Sequence, residues 1–180
     1  MKTLATGYGL IEGPVWDASR GLIYADVING GAFCLAPDGA IPQVIEHRRG
    51  MGGLTLHENG GLVVSGRSIA LKPADGGPTV MLLPDDPDGG RIGFNDITTD
   101  SKGRIYAGAL AFSPVGHDEE PKPGNLYCID LDGSARVVGE DIILTNGLGF
   151  SPDGGKLYHS ESLRNLVRVY DVAENGDLGP

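Results

Sequence analysis

Four copies of one strand start constrain this chain more than any other feature. They are Gly21-Leu22-Ile23-Tyr24, Gly61-Leu62-Val63-Val64, Gly103-Arg104-Ile105-Tyr106 and Gly155-Lys156-Leu157-Tyr158, spaced by 40, 42 and 52 residues. Each follows a tight turn, as in Ser151-Pro152-Asp153-Gly154-Gly155, where Pro presets φ, Asp bonds its own backbone and Gly accepts φ > 0. A matching strand precedes every turn: Gly13-Pro14-Val15-Trp16-Asp17, Gly53-Leu54-Thr55-Leu56-His57, Asn95-Asp96-Ile97-Thr98-Thr99-Asp100 and Gly147-Leu148-Gly149-Phe150-Ser151.

A second hairpin follows in each copy, turning at Pro37-Asp38-Gly39, Asp75-Gly76-Gly77, Leu131-Asp132-Gly133 and Glu174-Asn175-Gly176. Asp-Gly and Asn-Gly pairs between β-rich runs are strong hairpin signals. Two hairpins give four strands per repeat, and a four-stranded unit of this length is a β-propeller blade. The expectation is an all-β chain, one propeller domain over residues 1–180, with blade-like repeats at about 10–48, 50–84, 92–140 and 143–180. Helical solenoids are excluded, because no segment keeps a 3.6-residue apolar period. The longer third copy carries a polar, Pro-bounded insert from Ala111 to Pro123 that reads as a long loop. In the fourth copy the outermost strand is expected to be missing after Gly176, leaving an unpaired edge. The chain then reads as the front portion of a longer propeller.

Composition fits this reading. Thirty Gly and twelve Pro fall at recurrent turn positions while 40% of residues stay apolar. The net charge of −10 opposes contact with phosphate backbones, so no nucleic acid is expected as a partner. No apolar run is long enough to span a membrane and no secretory signal opens the chain, which places it by default in the cytoplasm. Cys34 and Cys128 are too few for a disulfide framework or zinc knuckle and read as buried small apolar residues.

Blade geometry puts the residues just ahead of each innermost strand at the mouth of the central channel. These are Glu12, Gly52 and its neighbours, Asn95 with Asp96, and Asn146. Oxygen-bearing side chains at such positions suit a hard divalent cation, although Asn and Asp also serve simply as turn caps. His159 reads as a packed, hydrogen-bonded histidine, His57 as a turn residue, His47 as surface, and His117-Asp118-Glu119-Glu120 as a solvated acidic loop. Ser65-Gly66-Arg67-Ser68 forms no nucleophile elbow, and no Gly-rich phosphate loop opens a helix.

Three motifs taken together resemble the gluconolactonase and regucalcin family of sugar-lactone hydrolases. They are Ile11-Glu12-Gly13-Pro14-Val15-Trp16, Phe94-Asn95-Asp96-Ile97-Thr98-Thr99-Asp100 with Gly103-Arg104-Ile105-Tyr106-Ala107-Gly108, and Thr145-Asn146-Gly147-Leu148-Gly149-Phe150-Ser151-Pro152-Asp153-Gly154. The resemblance implies a six-bladed propeller that hydrolyses a small-molecule lactone with a divalent metal, Ca²⁺ first, with Zn²⁺, Mn²⁺ or Mg²⁺ also compatible. It implies Glu12 and Asn146 as metal ligands and Asn95 as a substrate contact. The family's third ligand, an Asp held to be its acid/base, belongs to an Asp-Gly strand motif of a later blade, expected beyond Pro180. Asp96 is the nearby alternative, with bracing of its loop as its competing role.

Two departures keep the sugar preference from being carried over. Several members have Arg two positions before the substrate-binding Asn, where this chain has Gly93; Arg91 is close but would point differently. Some also have a Glu in the third-blade insert, where this chain has Ser113. In chemical terms, a bound cation can polarise the lactone carbonyl or lower the pKa of a bound water. A non-enzymatic propeller that binds a small molecule or a partner protein through the same mouth is the alternative reading, and a truncated, catalytically silent chain is a third.

Overall fold

The computed structural model describes residues 1–46, 50–114 and 119–180. Its strands form four sheets of four, each a simple antiparallel meander. The first comprises β1 (Ile11–Asp17), β2 (Gly21–Asp26), β3 (Ala32–Leu35) and β4 (Gln43–Ile45). The second comprises β5 (Leu54–Leu56), β6 (Leu62–Val64), β7 (Ile69–Lys72) and β8 (Val80–Leu83). The third comprises β9 (Gly93–Thr99), β10 (Ile105–Leu110), β11 (Gly124–Ile129) and β12 (Ala135–Ile142). The fourth comprises β13 (Thr145–Phe150), β14 (Lys156–Glu161), β15 (Leu166–Val172) and β16 (Leu178–Gly179). Each repeated glycine sits at the turn into its second strand, as expected.

Five of the sheet turns use the same local chemistry. Asp38, Asp75, Asp100, Asp132 and Asp153 each accept a backbone N–H two residues on, at 2.8–3.0 Å. One expectation is corrected. The outermost strand of the fourth sheet is present, because the chain pairs again directly after the turn at Gly176, with Leu178 opposite Val172 and Gly179 opposite Asp171.

The core lies between sheets, which is what makes the arrangement a propeller. Strand residues alternate faces, so Leu62 and Val64 of β6 pack with Ile23, Ala25 and Leu54, while Val63 packs the other way with Ile97, Ile105 and Ala107. A third cluster joins Tyr106, Leu126 and Cys128 to Leu157 of the fourth sheet, with Phe150 and Tyr170 against it. Each fully buried Leu, Ile or Val side chain contributes roughly 1.5–3 kcal/mol from burial. Cys34 and Cys128 are free and buried, as expected. Tyr106 Oη donates to Gly176 O at 2.9 Å, and Arg104 Nη1 donates to Glu174 O at 2.8 Å, tying the third sheet to the outer turn of the fourth. The innermost strands β1, β5, β9 and β13 lie side by side in chain order. Among the described residues, no helix is long and apolar enough to cross a membrane.

Candidate functional site

Three of these inner strands carry the same defect. In β1, Glu12 pairs with Ala25 and Val15 with Ile23, so three steps along β1 face two along β2. In β9, Phe94 faces Ala109 and Ile97 faces Ala107; in β13, Thr145 faces Glu161 and Leu148 faces His159. Each is a one-residue bulge, which bends the strand and re-aims its side chains. Asn95-Asp96 and Asn146-Gly147 are therefore equivalent bulge pairs inside their strands rather than residues ahead of them. Glu12 is the last paired residue before its bulge. Gly147 adopts φ +107°, a conformation open to glycine and costly for most other residues.

The second sheet has no bulge at this level, and its contribution is an absence of side chain. A Cβ on Gly52 would lie 2.3 Å from Asn95 Oδ1, and one on Gly53 would lie 2.8 Å from Ile97 N and 2.9 Å from Asn95 O. These glycines let β9 close onto the start of β5 and confine the Asn95 amide. On its other side, Asn95 Nδ2 donates to Thr145 O at 2.7 Å. The amide is thus held between the second and fourth sheets, with one of its two N–H bonds committed.

Asp96 joins the same two bulges. Its Oδ2 accepts from Gly147 N at 2.6 Å and its Oδ1 from Ile97 N at 3.1 Å. Thr145 in turn is fixed from below: its Oγ1 lies 3.1 Å from His159 Nε2, and a Cβ on Gly108 would come within 1.9 Å of that oxygen. His159 is fully buried and stacks on Tyr170, with ring centroids 6.3 Å apart. Burial pushes its pKa down to about 4. These bonds cross fifty residues of sequence, so hydrophobic periodicity carries no trace of them; the adjacency of Thr to the Asn-Gly pair was the available signal.

One carboxylate at the mouth feels the other. Glu12 is raised above the ordinary range by burial first and then by the negative charge of Asp96 on β9. Asp96 is raised by burial, against the opposing pull of the Gly147 and Ile97 N–H groups. Among the described residues, no hydrogen bond reaches the Glu12 carboxylate or the Asn146 amide. The side chains around the mouth offer oxygen: two carboxylates, with two amides on the neighbouring strands β9 and β13. That chemistry fits a hard divalent cation. Among the described residues no three His, Cys, Asp or Glu side chains gather as a metal-binding group, at the mouth or elsewhere.

Other candidates lie apart from this cluster. Arg91 does point away: its guanidinium lies 5.6 Å from the Phe94 ring centroid and 5.2 Å from that of Tyr127, and it donates to Tyr127 Oη at 3.2 Å. Gly93 and Ser113 instead border a cleft of about 210 Å³ that reaches Asn95. His57 is buried at its turn, with Nε2 2.8 Å from Gly103 O. His47, His117 and Asp118 lie outside the described residues.

Fold and site define a class: a β-propeller whose inner strands carry carboxylate and amide side chains at or beside their bulges. The chain belongs to the SMP-30/Gluconolactonase/LRE-like region family, whose sequence profile matches residues 10–180. It is 31% identical over 170 residues to the 6-deoxy-6-sulfogluconolactonase of Pseudomonas putida, covering 93% of this chain and 57% of that protein. Among solved structures, a gluconolactonase from Xanthomonas campestris superposes with a TM-score of 0.81 at 24% identity, covering 99% of this chain and 63% of that one. A regucalcin from Agrobacterium tumefaciens, described as a calcium-binding protein, gives a TM-score of 0.75 at 21% identity, covering 94% and 57%. The chain thus spans about three-fifths of the length of these relatives, and the structural likenesses speak to fold alone.

Proposed function

We propose that the channel mouth is the cation and substrate site of a sugar-lactone hydrolase. The observation that carries this reading is the meeting of Glu12 and Asp96 charge with the Asn95 and Asn146 amides on bulged inner strands, in a chain of a lactonase family. The names of its relatives, a sulfogluconolactonase and a gluconolactonase, supply the substrate class.

Glu12 and Asn146 would hold the cation, Ca²⁺ in the first instance. When bound, it supplies Lewis-acid polarisation of the lactone carbonyl and a lowered pKa for water. Everything else is positioning by the chain. Asn95, with one N–H on Thr145 O, keeps the other for a substrate hydroxyl. Asp96 holds the two bulges together through Gly147 N, which fixes the spacing of Asn95 and Asn146. In the overall step water oxygen bonds to the carbonyl carbon, the ring C–O bond breaks, the departing ring oxygen takes a proton, and an open hydroxy acid forms. No acid/base residue is assigned among residues 1–180.

The test is turnover of glucono-δ-lactone by EDTA-stripped protein with Ca²⁺, Zn²⁺ or Mn²⁺ restored, alongside Glu12→Gln and Asn146→Ala. Metal-stimulated hydrolysis that both substitutions reduce by at least about tenfold supports the reading. Hydrolysis indifferent to metal, or unchanged in both variants, overturns it.

A further inference from the structure

The cleft beside Asn95 has one charged side chain on its described wall. It holds about 210 Å³ and is bordered by Gly66, Arg67, Gly93, Phe94 and Leu110 as well as Asn95. Arg67 belongs to the loop that leaves β6 in the second sheet, yet its backbone is pinned to the third. Phe94 N donates to Gly66 O at 2.7 Å, forming an isolated antiparallel bridge. Glycine at 93 permits this approach. A Cβ there would lie 2.9 Å from Gly66 O and 3.5 Å from Arg67 Cα. The loop is therefore set in place against β9, two residues from Asn95, while the Arg67 side chain is 85% exposed above the cleft.

That guanidinium has little else to do. Among the described residues its ion pair is to Asp85, with Nε 3.8 Å from Oδ2, too long for a hydrogen bond and solvent-screened. Arg67, with five N–H donors, borders a cleft whose other described walls are glycine, apolar side chains, Ser113 and the Asn95 amide. No carboxylate is among them. A neutral sugar substituent entering this cleft would leave the guanidinium facing solvent. A phosphate, sulfonate or carboxylate would meet it with charge-assisted, bidentate bonds.

We propose that Arg67 makes this cleft a subsite for lactones that carry an anionic substituent remote from the ring carbonyl. The proposal rests on the lactone-hydrolase reading of the mouth and adds the class of substrate. Asn95 would hold the sugar at the boundary between mouth and cleft, with the anion extending away from Glu12 and Asp96 towards the second sheet.

The test compares kcat/KM for 6-phosphoglucono-δ-lactone and for a glucaric acid monolactone with that for glucono-δ-lactone, in wild type, Arg67→Gln and Arg67→Lys. The expected result is a preference for the anionic lactones that Arg67→Gln lowers by about tenfold or more and Arg67→Lys partly keeps, in line with hydrogen bonds to charged groups. A preference for phosphate with none for carboxylate narrows the subsite to phosphate-like groups and still supports it. Equal handling of neutral and anionic lactones, or a preference untouched by Arg67→Gln, overturns the proposal while leaving the hydrolase reading standing. If no lactone turns over, calorimetry with 6-phosphogluconate against gluconate decides. Tighter binding of the phosphorylated acid that Arg67→Gln abolishes supports the subsite without the hydrolase; equal binding overturns it.

Discussion

The Asp96 carboxylate on the inner strand of the third sheet accepts a 2.6 Å hydrogen bond from the Gly147 amide on the inner strand of the fourth. This bond joins the two bulges that carry Asn95 and Asn146, and its acceptor is the group whose charge reaches Glu12. One residue thereby links the geometry of the mouth to its electrostatics.

Bracing and proton transfer make different demands on Asp96. The brace across the sheets needs one acceptor oxygen towards Gly147 N, which Asn retains while giving up the weaker bond from Ile97 N; a general base needs the carboxylate. Asp96→Asn is expected to keep hydrolysis within a few-fold of wild type, whereas Asp96→Ala leaves Gly147 N unpaired and costs about 1–3 kcal/mol. Denaturant unfolding and lactone turnover measured on the same samples check this. A loss of about a hundredfold or more in Asp96→Asn with stability intact would make it the base instead.

Gly108 supports the site from the layer behind it. A Cβ at this position would sit 1.9 Å from Thr145 Oγ1, inside van der Waals contact with a fully packed side chain. Gly108→Ala is expected to cost about 1–3 kcal/mol by overpacking and to shift Thr145, the acceptor of the Asn95 amide. Thermal unfolding checks the first effect. An unchanged Tm would show that the third and fourth sheets separate easily here.

His159 makes stability depend on pH. Its folded pKa of about 4 lies below the ordinary 6.5 because burial outweighs the attraction of Glu161, with Arg168 adding to the depression. Between those values the unfolded chain binds a proton that the folded one refuses, so stability rises with pH there. The contribution is fully present above pH 6.5, falls as pH drops towards 4, and changes no further below. The span is on the order of 3 kcal/mol. Urea unfolding from pH 4 to 7 should show a shallower slope in His159→Gln than in wild type. Parallel slopes would contradict the burial argument.

The repeat was legible because turn chemistry is local: Gly21, Gly61, Gly103 and Gly155 mark the starts of second strands wherever they occur. The alternation that sends Val63 one way and Leu62 the other is also local, at the scale of two residues. The site was legible only as a set of residue types. Glu12, Asn95 and Asn146 looked equivalent when counted from their turns, but bulges are fixed by pairing with the neighbouring strand, and they separate Glu12 from the two Asn positions. Gly52 looked like a gap in the pattern, and it is a clearance for Asn95 Oδ1 that needs the third sheet in place to be seen. The fourth strand of the last sheet was missed because Leu178 and Gly179 are too short a run to show alternation, while the backbone pairing with Val172 and Asp171 needs no side-chain pattern.

We propose above that Glu12 and Asn146, from sheets far apart in sequence, hold one cation. Calorimetric titration of EDTA-stripped protein with Ca²⁺ tests this most directly, with wild type, Glu12→Gln and Asn146→Ala compared after each is shown to unfold cooperatively. The account predicts a single saturable site that both substitutions weaken by at least about tenfold, as expected when an oxygen ligand is lost. Binding of equal strength in all three proteins, or none in wild type with Ca²⁺, Zn²⁺ or Mn²⁺, would contradict it.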